Sequence, residues 1–124
     1  MFRFAAWLLV AAGLSALGCN AATSAALPAP LLIFGRTGMG PGEFNYPRAT
    51  AISPDGSLYI VDKAGRIQAL SGDGQPLREW RMPEIDAGKP TGLGFGPDGN
   101  IYVADTHYAR VCVYSSDGRL LRQF

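Results

Sequence analysis

The chain has 124 residues, of which 48% are hydrophobic and 17% charged, and its formal net charge at pH 7 is +1. Its 16 glycines and 9 prolines follow no collagen-like period, which favours one domain rich in tight turns over a helical bundle. Because acidic and basic residues nearly balance, the sequence has no basic footprint for DNA or RNA, and we expect no nucleic-acid partner.

The first 18 residues, "MFRFAAWLLVAAGLSALG", have the pattern of an export signal. One positive charge, Arg3, is followed by an apolar run from Phe4 to Leu17. The run is shorter than the roughly 20 residues that a membrane-spanning helix needs, and it fits the apolar region of a secretory signal peptide. Residues 1–18 are therefore predicted to form a helical signal segment.

The end of this segment, "SALGC", resembles a bacterial lipobox, although Ala16 stands where the motif usually has leucine. The resemblance implies that Cys19 carries a lipid and anchors the chain to a membrane. Asn20 replaces the aspartate that favours inner-membrane retention, which implies the outer membrane or the periplasmic side of a bacterial cell envelope. Cleavage at a small residue within 21–26 and an uncleaved anchor remain as alternatives.

Small, uncharged residues and prolines make up residues 19–30, a composition typical of a spacer. Residues 31–46 are predicted to hold an outer strand, "LLIF" (31–34), and a glycine-rich loop that leads into the next strand. The stretch "GRTGMGPG" (35–42) lacks the Lys-Ser/Thr pair of a phosphate-binding loop and precedes a strand instead of a helix. We therefore interpret it as a connector between structural units.

Four short strands are predicted between residues 47 and 80. They are separated by turns such as Pro54-Asp55-Gly56, in which proline presets φ and glycine accepts a positive φ. The predicted strands comprise residues 49–53, 57–62, 66–70 and 76–80.

The remaining residues, 81–124, repeat the same four strands. Asp62 aligns with Asp105 at an offset of 43 positions, and Arg66 aligns with Arg110 at an offset of 44 after one inserted residue. Periods of about 40–50 residues are typical of propeller blades or solenoid units. The predicted strands of this second unit comprise residues 91–95, 100–105, 110–115 and 119–124.

Residue size changes along each unit. The first strands carry small residues, and the last strands carry larger ones such as Trp80 and Phe124. This order is typical of a propeller blade, because the first strand lies beside the crowded central axis. The small residues are Ala49, Ala51, Gly92 and Gly94.

Three segments together resemble NHL repeats: "FGRTGMGPGEFNYP" (34–47), "DGSLYIVDKAGRI" (55–67) and "DGNIYVADTHYARV" (98–111). The asparagine that usually precedes the arginine is replaced by Gly65 and Ala109. The resemblance implies an all-β fold: two four-stranded antiparallel blades of an NHL-type, six-bladed β-propeller, incomplete, with blade 1 at residues 47–80 and blade 2 at residues 81–124.

Two acid–base pairs recur at the hairpin between the second and third strands of each unit: Asp62 with Arg66, and Asp105 with Arg110. A charge-assisted hydrogen bond across the hairpin would fix the loop, so we interpret both pairs as structural ties. Catalysis by these aspartates would need a perturbed acid or a neighbouring carboxylate. No catalytic residue is assigned.

His107 and Tyr108 lie in the one loop where the second unit is longer than the first, and they are our candidates for exposed contacts. Cys112 alternates with apolar residues and is interpreted as a packed core residue. The chain has one histidine and no Asp/Asn spacing of a calcium loop, so no metal or other cofactor is expected.

Two blades do not close a propeller, which needs at least about four, and their faces and edges would stay open. "LLIF" (31–34) aligns with the outer strands of both units but has no inner strands of its own. This favours further blades in a longer chain, beyond Phe124. Self-association of several copies is the other possibility.

For function we expect a module that binds a protein or small ligand at blade-end loops, because no cluster of His, Glu and Asp lies on the predicted inner strands. Fold alone does not fix activity. The alternatives are part of a propeller lyase or hydrolase whose catalytic or metal residues lie in other blades, and a truncated gene remnant.

Overall fold

A computed structural model describes residues 27–124. The predicted signal segment (1–18), the predicted lipidation site Cys19 and most of the spacer lie outside the described residues. Within residues 27–124, no helix is both long enough and apolar enough to span a membrane.

Two four-stranded antiparallel sheets form the body, and in each sheet the strands follow chain order. Their bounds confirm the predicted all-β fold and lie within two residues of the predicted strands. Sheet 1 consists of β3 (Pro47–Ile52), β4 (Leu58–Asp62), β5 (Arg66–Leu70) and β6 (Pro76–Arg81). Sheet 2 consists of β7 (Gly92–Phe95), β8 (Ile101–Asp105), β9 (Arg110–Tyr114) and β10 (Leu120–Gln123).

Two smaller elements complete the described residues. A 3-10 helix (Thr106–Tyr108) lies between β8 and β9, where the second unit has its inserted residue. Before sheet 1, β1 (Arg36–Thr37) and β2 (Glu43–Phe44) form a short parallel pair that closes the glycine-rich loop on itself.

Four tight turns lie at one end of the sheets, which we call the turn end: residues 53–57, 71–75, 96–100 and 115–119. In each, an aspartate side chain accepts a hydrogen bond; Asp55, for example, accepts from the Ser57 N–H at 3.0 Å. The Ser53 hydroxyl also donates to Asp55, and this lowers the pKa of that carboxyl. Side-chain and turn hydrogen bonds lower the pKa values of Asp98 and Asp117 in the same way.

The main core lies between the two sheets. Alternate residues of a strand point to opposite faces, and one face of sheet 1 packs on one face of sheet 2. Tyr59 of sheet 1 meets Phe95 of sheet 2 edge to face, with ring centroids 5.0 Å apart. Contacts between the sheets concentrate where β3 meets β7, the two first strands. The buried cluster comprises Tyr59, Val61, Ile67, Ala69, Met82, Ile101, Val103, Cys112 and Tyr114.

The other face of sheet 1 is covered by the glycine-rich loop, which we call lead-in loop 1 (residues 34–46). Phe44 from this loop packs on Ile60 and Leu70 and is 9% exposed. Lead-in loop 2 (residues 81–90) does the same for sheet 2, where Met82 is buried against Tyr114. Each sheet is therefore preceded by a loop that covers part of its face.

One expected element is absent: residues 31–34 form no strand. An outer strand needs a third strand to pair with, and both third strands, β5 and β9, already pair with β6 and β10. Leu31 and Ile33 are consequently exposed. Phe34 instead lies against the turn at Gly74, where a Cβ atom would be only 2.5 Å from its ring.

Candidate functional site at the loop end

The longer connections gather at the end opposite the turns, which we call the loop end. It comprises the two lead-in loops, the β4–β5 hairpin (62–66) and the β8–β9 loop (105–110). Backbone hydrogen bonds join the parts: Lys63 N–H donates to Asn45 O at 2.8 Å, and Met82 N–H donates to Gly65 O at 2.8 Å. The loop end is therefore one connected surface.

In sheet 1 the pair of Asp62 and Arg66 is fully buried. Their side chains are 1% and 0% exposed, and Arg66 Nη2 lies 3.1 Å from Asp62 Oδ2. Three backbone N–H groups also donate to this carboxylate, those of Ala64 at 3.0 Å, Arg66 at 3.2 Å and Asn45 at 3.1 Å. Asp62 therefore organises the hairpin and fixes the start of β3.

Arg66 also holds lead-in loop 1. Its guanidinium donates to the carbonyl oxygens of Met39 at 2.5 Å, Gly40 at 3.2 Å and Glu43 at 2.5 Å. Gln68 adds two bonds, donating to Glu43 O at 2.7 Å and accepting from Gly42 N–H at 2.9 Å. The glycine-rich stretch is thus bound to sheet 1 through its backbone, as a connector would be.

The equivalent pair in sheet 2 is less completely bonded. Arg110 Nε donates to Asp105 Oδ2 at 3.0 Å, and Arg110 Nη1 lies 3.1 Å from the exposed Glu84 of lead-in loop 2. Two buried atoms, Asp105 Oδ1 and Arg110 Nη2, have no hydrogen-bond partner. Burial lowers the pKa of Arg110, but its acidic partners raise it more, so the net pKa lies above the ordinary value.

Both residues that replace the family asparagine have left-handed backbones: φ is +68° at Gly65 and +49° at Ala109. Asparagine and glycine accept this conformation far more readily than alanine. The departure at Gly65 is therefore harmless to the loop, whereas the one at Ala109 is strained. Both loops therefore place a left-handed residue directly before the arginine, although neither has the asparagine and only the second contains a 3-10 helix.

The two predicted contact residues have different environments. His107 is exposed, with Nδ1 3.3 Å from the Lys89 carbonyl oxygen. Tyr108 is half-buried: its hydroxyl accepts from Ala87 N–H at 3.0 Å, and the Arg110 guanidinium lies 4.6 Å from its ring centroid. Tyr108 therefore helps to hold lead-in loop 2, and His107 is the more accessible of the two.

Tyr46 is not among the residues that the sequence pattern indicates. Its side chain is 71% exposed, its φ is +51°, and Lys63 Nζ lies 5.2 Å from its ring centroid. No sequence signal could have found it, since a positive φ at tyrosine is not predictable from residue type. Tyr46 borders a hollow of about 460 Å³ whose lining is Gly35, Arg36, Thr37, Phe44, Tyr46 and Pro47.

Cys112 is a core residue, 0% exposed between the sheets, and burial raises the pKa of its thiol. A buried, protonated thiol is a poor nucleophile. Among residues 27–124, no three His, Cys, Asp or Glu side chains come together as metal ligands would.

Comparison with known proteins supports the repeat and the fold. Residues 88–114 match the NHL repeat family, as the resemblance in sequence implied. No curated protein matches the chain in sequence.

Several solved structures resemble the chain in fold. Virginiamycin B lyase from Staphylococcus aureus superposes with a TM-score of 0.56 and 18% identity over 64% of this chain and 27% of the enzyme. A catalytically inactive variant of that enzyme with quinupristin gives 0.56 and 19% over 63% and 26%. A streptogramin B lyase gives 0.57 and 22% over 65% and 26%. The chain spans about a quarter of the length of these enzymes, and at such identities the similarity shows a propeller-like fold.

Proposed function

We propose that this protein is an exported, lipid-anchored NHL-repeat protein of the bacterial cell envelope that binds a protein or small ligand at its loop end. Tyr46 is the observation that carries the proposal. A large aromatic ring kept 71% exposed on a left-handed backbone costs on the order of 1–3 kcal/mol of strain and gains little from burial. Such a residue is typical of a binding surface.

The chemistry around Tyr46 indicates the kind of partner. Lys63 is exposed beside the ring, and Arg36, 81% exposed, lines the adjacent hollow. Aromatic and arginine side chains are enriched at recognition surfaces. A partner that places an apolar side chain in the hollow and a carboxylate near Lys63 fits best. His107 would extend the contact on the second unit.

The binding proposal is tested by photo-crosslinking in cells. The photoreactive residue p-benzoylphenylalanine replaces Tyr46 at the loop end or, as a matched control, Arg119, which is exposed at the turn end. We expect an adduct of defined mass at position 46 and none at position 119. Equal adducts at both positions, or none at position 46, would contradict binding through the loop end.

The lipid anchor is tested separately, by metabolic labelling with an alkyne-tagged fatty acid. The chain has two cysteines, so Cys19→Ser removes the proposed site and Cys112→Ala is the matched control. We expect label in the unchanged chain and in the Cys112→Ala variant only. An unlabelled native chain, or label that survives Cys19→Ser, would overturn the anchor without touching the binding proposal.

The alternative is part of a propeller enzyme, and the fold shared with the streptogramin B lyases favours it. Incubating the chain with quinupristin and following the compound by mass spectrometry tests whether this chain has such an activity by itself. Our proposal expects the compound to stay unchanged. Conversion at a rate proportional to protein concentration would favour the enzyme.

A further inference from the structure

Sheet 2 turns one face away from sheet 1, and we call it the open face. Its aromatic residue Phe124 continues the pairing of β10 with β9 through Val111 N–H to Phe124 O at 2.7 Å, yet its side chain is 66% exposed. Arg122 lies beside it, with its guanidinium 5.7 Å from the ring centroid. The open face comprises Tyr102, Ala104, Val111, Arg122 and Phe124, together with Val113, which is only 1% exposed.

The equivalent face of sheet 1 is the one that packs on sheet 2. Position by position it carries the same kinds of side chain, with tyrosine, arginine and an aromatic residue at the same three places. These residues are Tyr59, Val61, Ile67, Ala69, Arg78 and Trp80. The repeat thus provides two copies of one docking face, and within the described residues only the first copy is covered by a second sheet.

Three contacts show what such a face binds. Tyr59 packs edge to face on Phe95, with centroids 5.0 Å apart. Arg78 donates to the carbonyl oxygen of Ser116 in the 115–119 turn. Trp80 packs on Gly118 of the same turn, where a Cβ atom would lie 2.7 Å from its ring.

Sheet 1 has the matching acceptor positions on its own far face. The residues equivalent to Phe95, Ser116 and Gly118 are Ile52, Gly72 and Gly74. Ile52 is 68% exposed at the end of β3, and Gly72 is also exposed.

We propose that a second copy of this chain docks head to tail on the open face. Tyr102 of one copy would pack on Ile52 of the next, and Arg122 would donate to the Gly72 carbonyl. Phe124 would lie on Gly74. Lead-in loop 1 does not block this contact. Phe44 covers Leu70 of sheet 1 in the same way that Met82 covers the equivalent Tyr114 of sheet 2, and sheet 1 packs on sheet 2 despite that cover.

One acceptor position is already occupied within the chain. Phe34 lies on Gly74 as Trp80 lies on Gly118, and the two aromatics belong to segments that align in sequence. Phe124 of a neighbour would therefore have to displace Phe34, which is 37% exposed and not part of a strand. The segment 31–34 acts as an intramolecular competitor of assembly. Because the two docking faces differ, the contact repeats as a ring or a filament.

Crosslinking tests the arrangement. Two full-length variants, Ile52→Cys and Tyr102→Cys, are treated with a short bis-maleimide separately and after mixing. The parent chain is the control for links through its own cysteines, of which Cys112 is buried. Head-to-tail docking predicts a linked dimer only in the mixture. Links within either variant alone would indicate two-fold pairing, and no link in the mixture would indicate no docking; either result overturns the proposal.

Sedimentation velocity tests the residues. Phe124→Ala should weaken self-association about tenfold or more, as expected for an interface anchor. Its matched control is Leu121→Ala, 39% exposed in the same strand, which should leave association within about twofold. Phe34→Ala should strengthen association by removing the competitor. Equal effects at Phe124 and Leu121 would contradict the docking face, and an unchanged Phe34 variant would contradict the displacement.

Discussion

Two arginines at equivalent positions of the repeat, the buried Arg66 and the partly buried Arg110, hold their loops in different ways. Arg66 donates to three carbonyl oxygens of lead-in loop 1 as well as to Asp62. Arg110 reaches lead-in loop 2 only through the carboxylate of Glu84, which is 57% exposed. The glycine-rich lead-in loop 1 can turn its backbone carbonyls toward an arginine. Lead-in loop 2, "RMPEIDAGKP", instead supplies the side chain of Glu84.

This difference shows that both units can keep the aspartate–arginine pair at the hairpin while the arginine binds different groups of the lead-in loop. Buried polar groups cost free energy when they lack partners. The pair of the second unit leaves two such atoms, Asp105 Oδ1 and Arg110 Nη2, whereas the pair of the first unit leaves one, Arg66 Nε. The first unit is therefore expected to be the more rigid.

Arg66→Met should lower the free energy of unfolding by about 3–5 kcal/mol, the usual cost of removing one partner of a buried pair. The lead-in loop carbonyls would lose their donor at the same time. Urea denaturation of the variant measures the change. A loss below that of Arg110→Met would contradict the contrast between the two units.

Arg110→Met should cost less, about 3 kcal/mol, the lower end of the range for breaking a buried pair, because Arg110 is 14% exposed and holds no backbone carbonyl. It removes one buried hydrogen bond, to Asp105, and one contact with the exposed Glu84. The matched variant Glu84→Gln should cost under about 1 kcal/mol, because exposed ion pairs contribute little. If Glu84→Gln costs as much as Arg110→Met, the exposed contact carries the second pair, and our description of it is wrong.

Ala109→Asn should stabilise the protein by about 0.5–1 kcal/mol, since asparagine tolerates the left-handed backbone at φ +49°. The same substitution at Gly65 is the comparison. A Cβ atom there would lie 2.2 Å from Ile85 Cγ2, so Gly65→Asn should be destabilising. If the melting temperatures of the two variants shift in the same direction, this explanation is wrong.

The smallest effect concerns pH. The pKa values of Asp55, Asp98 and Asp117 are lowered in the folded chain, so their contribution is present above the unfolded pKa of about 4 and is lost as pH falls through the lower folded values. Stability should therefore fall below about pH 4. The variant with all three aspartates replaced by asparagine should lose less stability than the unchanged chain as the pH falls. Equal losses of stability in the two proteins on acid titration would contradict this.

Local sequence pattern was enough to predict the strands. The alternating residues of "RIQAL" and the Asp-Gly turns lie only a few residues apart, and they determine a strand and its hairpin. Strand β5 spans residues 66–70 as predicted. The alignment of the two units, in which Asp62 corresponds to Asp105, predicted two sheets of four strands each. The pairs of Asp62 with Arg66 and Asp105 with Arg110 lie close in sequence, so their meeting across the hairpin was also foreseeable.

Features that depend on distant parts of the chain were not predictable. Residues 31–34 have the composition of an outer strand, but a strand forms only where a third strand is free to pair with it. The bonds of Arg66 to Met39 and Gly40 cross more than 25 positions, and no spacing rule anticipates them. To predict that Tyr46 is exposed, one would need its backbone conformation, which the residue type does not reveal.

The open face of sheet 2 repeats the covered face of sheet 1, and we propose that it binds a further sheet. Native mass spectrometry of the full chain, released from mild detergent at increasing protein concentration, tests it most directly. We predict species of more than one chain whose share rises with concentration. A single chain at every concentration, melting cooperatively, would contradict the claim.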